Sequence, residues 1–107
     1  MKYMCELDLR LFPRSSTSGL TNYLKDFNNL RALRLRLKSI HGRFQYEKVL
    51  IQFLIECGKS IREIQVELEG QPYDLSRLLI HTPNIDHLTI DYFYYSVLKL
   101  FRFKFFI

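Results

Sequence analysis

The apolar positions of this chain fall into a spacing of three, two and two residues that occurs four times. Met4, Leu7, Leu9 and Leu11 form the first copy, and Leu30, Leu33, Leu35 and Leu37 the second. Ile61, Ile64, Val66 and Leu68 form the third, and Ile85, Leu88, Ile90 and Tyr92 the fourth, so successive copies start 26, 31 and 24 residues apart. The last three members of each copy alternate with polar residues, and that period of two predicts a strand with one face buried. Between copies the period changes to that of a helix. Leu20, Tyr23, Leu24 and Phe27 share one stripe, Leu50, Phe53, Leu54 and Cys57 a second, and Leu75, Leu78 and Leu79 begin a third.

The boundaries carry matching punctuation. The run SSTSG at 15–19 precedes the first helical stripe and supplies an N-cap acceptor, and Asp74 is placed to cap the third. Gly58 follows the second stripe, where a residue of positive φ is expected. Pro83 ends the third, since it cannot continue a helix. Each unit therefore reads as strand, loop, helix, loop. One unit cannot bury both its strand face and its helix stripe. Stacked side by side, the units form a parallel sheet with helices over one face.

LxxLxL followed by a helix, with CGKSIREIQV at 57–66 and HTPNIDHLTI at 81–90, resembles the leucine-rich repeats of F-box and ribonuclease-inhibitor-like proteins. The resemblance covers roughly residues 4–95. It implies an α/β fold, a short solenoid of about four repeats with parallel strands on the concave face and helices on the convex face. Residues 1–95 form this domain in that reading, and 96–107 an aromatic-basic tail. It also implies protein recognition through the concave sheet, as the substrate-reading part of an F-box-type ubiquitin-ligase receptor with ligase subunits among its partners. Two departures stand out. Phe12, Lys38, Glu69 and Phe93 occupy the place of the usual Asn or Cys after LxxLxLxx, so irregular loops are expected. No F-box is visible, because the chain opens almost directly on a repeat strand.

On the expected concave face stand Asp8 and Arg10, then Arg34 and Arg36, then Gln65 and Glu67, then Thr89 and Asp91. Lys38, Glu69 and Phe93 follow the strands. Read in order, the face passes from a basic second strand to an acidic third and fourth, a gradient able to hold a charged partner in register. The competing reading is a solvated face tied by cross-strand ion pairs such as Arg34 with Glu67.

Composition narrows the choices. The 107 residues make one domain, 48% hydrophobic and 25% charged, within the ordinary globular range. Sixteen basic against eleven acidic residues give +5. Arg31, Arg34, Arg36, Lys38 and Arg43 cluster, with Phe44 and Tyr46 as candidate stacking rings, so a nucleic-acid-binding module is the alternative function. A repeat fragment without independent function is a further alternative. Gly-rich phosphate loops, GxSxG, HExxH and zinc spacings are all missing, so the chain reads as a binding surface and not an enzyme, with no cofactor. His81 and His87 near Asp86 and Asp91 read as a polar turn before a metal site. Cys5 and Cys57 lack a CxxC neighbour and read as buried, reduced thiols. With no signal peptide and no apolar run long enough to span a membrane, a cytoplasmic or nuclear location is expected.

The tail SVLKLFRFKFFI breaks the repeat. It reads as a closing strand, a truncated helix or a basic-aromatic membrane-surface segment. Neither end shows a polar capping unit, so the chain is expected to be part of a longer array and to aggregate through exposed edges.

Overall fold

The computed structural model describes residues 3–10, 17–93 and 100–106. It is a mixed α/β protein, small and compact, built on one sheet of order β1-β2-β3-β4-β5. The strands are β1 (Met4–Asp8), β2 (Ala32–Ser39), β3 (Glu63–Gly70), β4 (His87–Phe93) and β5 (Leu100–Phe106). The first four run parallel in chain order, and β5 pairs antiparallel with β4. Helices α1 (Thr17–Leu24), α2 (Glu47–Cys57) and α3 (Ser76–Leu79) lie in the connections, with a 3-10 turn at Gly58–Ser60. The shortest dimension is 19 Å, the depth of one sheet and one helix layer.

Period-two alternation places Leu33, Leu35 and Leu37 of β2 and Ile64, Val66 and Leu68 of β3 on the covered face, each 3% exposed or less. Leu20 and Leu24 of α1, Leu50 and Leu54 of α2, and Leu78 of α3 join them in one core. Each such side chain contributes about 1.5–3 kcal/mol on burial. Arg34, Arg36 and Lys38 point the other way and are exposed.

Three junctions between neighbouring units share one backbone pattern. The Tyr3 carbonyl accepts from the Arg31 and Ala32 N–H groups, that of Arg31 from Arg62 and Glu63, and that of Arg62 from Asp86 and His87. Side chains reinforce the loops that the missing Asn or Cys left without support. Ser60 Oγ lies within hydrogen-bond distance of the Leu30 and Cys57 carbonyls, with one proton to serve either, and Asn84 Nδ2 donates to the carbonyl of Lys59. Asp74 lies one residue before the N-cap, Leu75, and its carboxylate accepts from the N–H and hydroxyl of Ser76 in the first position of α3.

Several expectations need correction. The repeat spacing set Leu7 beside Leu33, whereas β1 pairs Cys5 with Leu33 and Leu7 with Leu35. The shift is two residues, which keeps every side chain on the same face, so alternation alone could not detect it. Burial decides it: Cys5 is 0% exposed and Met4 56%. The other two registers are as the spacing predicts.

Helix α1 starts inside SSTSG, so residues 17–19 form its first turn; Ser15 and Ser16 lie outside the described residues. A first turn leaves its N–H groups without intrahelical partners, which makes it tolerant of small polar residues. Phe27 is buried but lies three residues past the end of α1. Gly58 has φ −63° and needs no left-handed freedom. Its glycine answers a close approach instead, since a Cβ there would stand 2.0 Å from the His81 carbonyl oxygen. In the tail, residues 100–106 form the closing strand.

One buried acid ties two connections together. Glu47, 9% exposed in the first turn of α2, meets Arg77 of α3 at 2.6 Å. Its other oxygen and the Tyr73 hydroxyl are buried without a hydrogen-bond partner. Burial first, and then the charge of Glu47, raises the Tyr73 phenol above its ordinary value. Because Arg77 is half exposed, Glu47→Gln is expected to cost only about 1–2 kcal/mol in a urea titration. A loss under 0.3 kcal/mol would mean that the pair does not secure α3.

Candidate recognition surface

Parallel sheets are ordinarily covered on both faces. Among the described residues the helices of this one lie on one side, and the opposite face carries the polar residues of β1 to β4 in aligned rows. Glu6, Arg34, Gln65, Thr89 and Lys104 form one row across the sheet; Asp8, Arg36, Glu67, Asp91 and Arg102 form the next. Lys38, Glu69 and Phe93 make a third across β2 to β4.

The charges in these rows are largely compensated. Arg10 grips Asp8 with two bonds, Nε to Oδ1 at 2.9 Å and Nη2 to Oδ2 at 2.8 Å. Its Nη1 reaches Glu69 at 3.1 Å. Arg34 pairs with Glu6 at 3.2 Å and Arg36 with Glu67 at 3.0 Å. The expected basic-to-acidic gradient is therefore broken by neutral pairs, because Arg34 and Arg36 of β2 each find a carboxylate on a neighbouring strand. Arg34 and Glu67, the pair suggested by the sequence, do not join. Asp91 corrects the expected face as well: it is 2% exposed and closed to a partner. Of the three readings of the tail the closing strand is the one found, and β5 sets Arg102 beside Asp91 in register. Gln65 and Thr89 remain half exposed near the centre.

The Arg10 guanidinium, through its hydrogen bonds, holds the Asp8 carboxyl below the usual carboxylate range. A depressed folded-state pKa contributes stability above the unfolded value near 3.9, and this is lost as pH falls through the folded value. A carboxyl titration by NMR is expected to place the Asp8 midpoint below the ordinary value in wild type and back at it in Arg10→Ala. An unchanged midpoint in the variant would contradict the bidentate pair.

Glu6, Lys104 and, by register, Arg102 join these rows without having been part of the expected face. Glu6 was hidden by the register shift, and exposed Lys104 belongs to a tail whose alternation was visible but not assigned to this sheet. Of the candidate stacking rings, Phe44 is 8% exposed and packs edge-on against Tyr73 at 5.0 Å, which leaves little of the ring for a base to stack on. Tyr46 is half-buried at the start of α2, with φ 67°.

Elsewhere among the described residues lie a groove and a smaller cavity. A groove of about 560 Å³ between α1 and α2 is lined by Leu24, Phe27, Val49 and Phe53 with Lys25 and Lys48. A cavity of about 190 Å³ opens at the carboxyl ends of β1 and β2. Cys57, beside the groove, has its thiol pushed up to about 11 by burial, so it is a poor nucleophile at neutral pH. Among the described residues no three His, Cys, Asp or Glu side chains converge as metal ligands, and no helix is long and apolar enough to cross a membrane. Set against known protein families, curated proteins and solved structures, the chain has no match in any of the three.

Proposed function

We propose that this chain is a non-enzymatic protein-recognition module of leucine-rich-repeat type, a short solenoid that reads a partner with the open face of its parallel sheet. The observation that carries this reading is a four-strand parallel array covered by helices on one side and left polar on the other. The repeated backbone junctions at Tyr3, Arg31 and Arg62 support the solenoid part. By its resemblance to F-box repeats, the partner is the substrate of a ubiquitin-ligase receptor, in the cytoplasm or nucleus. The nucleic-acid alternative draws less support, since Arg34 and Arg36 are neutralised and Phe44 is enclosed.

The test is affinity capture from cells with the wild-type protein and with the double variant Gln65→Arg, Thr89→Arg. These two positions adjoin in register, and neither makes one of the ion pairs of the face. Wild type is expected to retain ligase adaptor and cullin subunits or a defined substrate, and the variant to lose them about tenfold while melting normally. Equal recovery by both proteins, or recovery of chaperones alone, would overturn the reading.

A further inference from the structure

At the carboxyl ends of β1 and β2 the sheet side carries positive charge that no ion pair among the described residues compensates. Arg10 binds Glu69, the register partner of Lys38, and so leaves Lys38 without a carboxylate. Arg43 likewise has no ion pair among the described residues. A tight turn sets Arg43 in place: His41 and Gly42 have φ 55° and 74°, and Ile40 and Arg43 exchange backbone hydrogen bonds of 2.8 and 3.1 Å. Two successive positive φ values describe the turn that suits a two-residue hairpin, with glycine at its second position. The His41 N–H also donates to the Gln71 side chain, which anchors the turn to the next unit.

Between this turn and the end of β1 lies the 190 Å³ cavity, with Arg10, Lys38 and Arg43 around it and Leu9, Ile40 and Phe44 as apolar walls. Sites for small molecules and cofactors span about 300–1,000 Å³. This one is smaller and suits a single side chain. Two free cations and a guanidinium already fixed by two carboxylates select an oxyanion, and the apolar walls select carbon next to it.

We infer that the cavity takes one acidic side chain of a partner polypeptide, a carboxylate or a phosphate monoester, between Lys38 and Arg43. This deepens the protein-recognition reading and rests on it. The cavity adjoins the open face, so one bound segment reaches both.

The experiment is a titration of the full chain followed through its backbone amide signals, with phenyl phosphate and with benzoate as separate probes. Saturable shifts are expected at residues 9, 10, 38 and 40–45. Lys38→Ala and Arg43→Ala are each expected to weaken binding about tenfold without moving the melting temperature, while Lys48→Ala, on the helix side, leaves it unchanged. Tighter phenyl phosphate assigns the anion to a phosphorylated residue; tighter benzoate assigns it to Asp or Glu. Absent saturation, or equal weakening in all three variants, overturns the cavity as a site. Binding that depends on Lys38, in a protein whose sheet-face variant still captures its partner, overturns the recognition surface and leaves the anion site standing.

Discussion

Gly58→Ala is expected to destabilise the protein by about 3 kcal/mol, roughly 15 °C in melting temperature for a domain of this size. Gly58 is buried where the end of α2 meets the segment after α3, and a methyl group would meet the His81 carbonyl at 2.0 Å and the Thr82 side chain at 3.4 Å. The first contact is with backbone, which cannot swing aside as the tip of a side chain does. Relief requires α2 and the His81 turn to separate, which loosens Leu54 and Leu78 in the core. Gly42→Ala is the control, since nothing lies within 4 Å and only its φ of 74° opposes the substitution, at about 1 kcal/mol. Urea unfolding of both variants gives the comparison. Equal midpoints would mean that the two connections do not touch.

Cys5→Asp is expected to cost about 3–5 kcal/mol, and Met4→Asp less than about 0.5 kcal/mol. Cys5 lies fully buried beside Leu33, so a carboxylate there is desolvated or must take up a proton. Met4 points to the open side and its replacement stays in water. The register read from the repeat spacing alone makes Met4 the apolar anchor of the first copy and so reverses this order. Thermal and urea unfolding of the pair therefore measure where the first strand sits.

The same contrast marks how far the fold was legible in the chain. Alternation and helical stripes located β2, β3, β4 and α2, because Leu33, Leu35, Leu37 and their counterparts each face a largely apolar core. The register of β1 was not legible: a slip of two residues preserves the face, and only the enclosure of Cys5 separates the alternatives. The role of Gly58 was equally hidden, since a glycine at a helix end serves either a positive φ or a close approach, and the neighbour at His81 is 23 positions away. The open face was legible as a set of polar residues, but not its charge balance. Arg34 and Arg36 are exposed and basic in the sequence, and their neutralisation by Glu6 and Glu67 depends on which strands adjoin. Asp91 was read as part of the open face but is buried, on a strand that β5 joins, and the tail that forms β5 was open to three readings in the sequence.

Under the proposed recognition role, that charge balance sets what the surface would select. Paired charges give a face that repels neither acidic nor basic partners strongly, so selectivity falls to the uncompensated cations at its margin and to the half-exposed Gln65 and Thr89 at its centre. Exposed pairs of this kind contribute about 0–1 kcal/mol each to stability. The face therefore tolerates substitution without loss of the fold, and binding can be tested apart from folding.

The most direct measurement places a photo-crosslinking amino acid at Gln65, in the middle of the open face, and in a second protein at Gln52 on α2. Irradiation in cells is expected to give a discrete covalent adduct with one partner from position 65 and none from position 52. Adducts from position 52 alone, or from neither position, would contradict recognition through the open sheet.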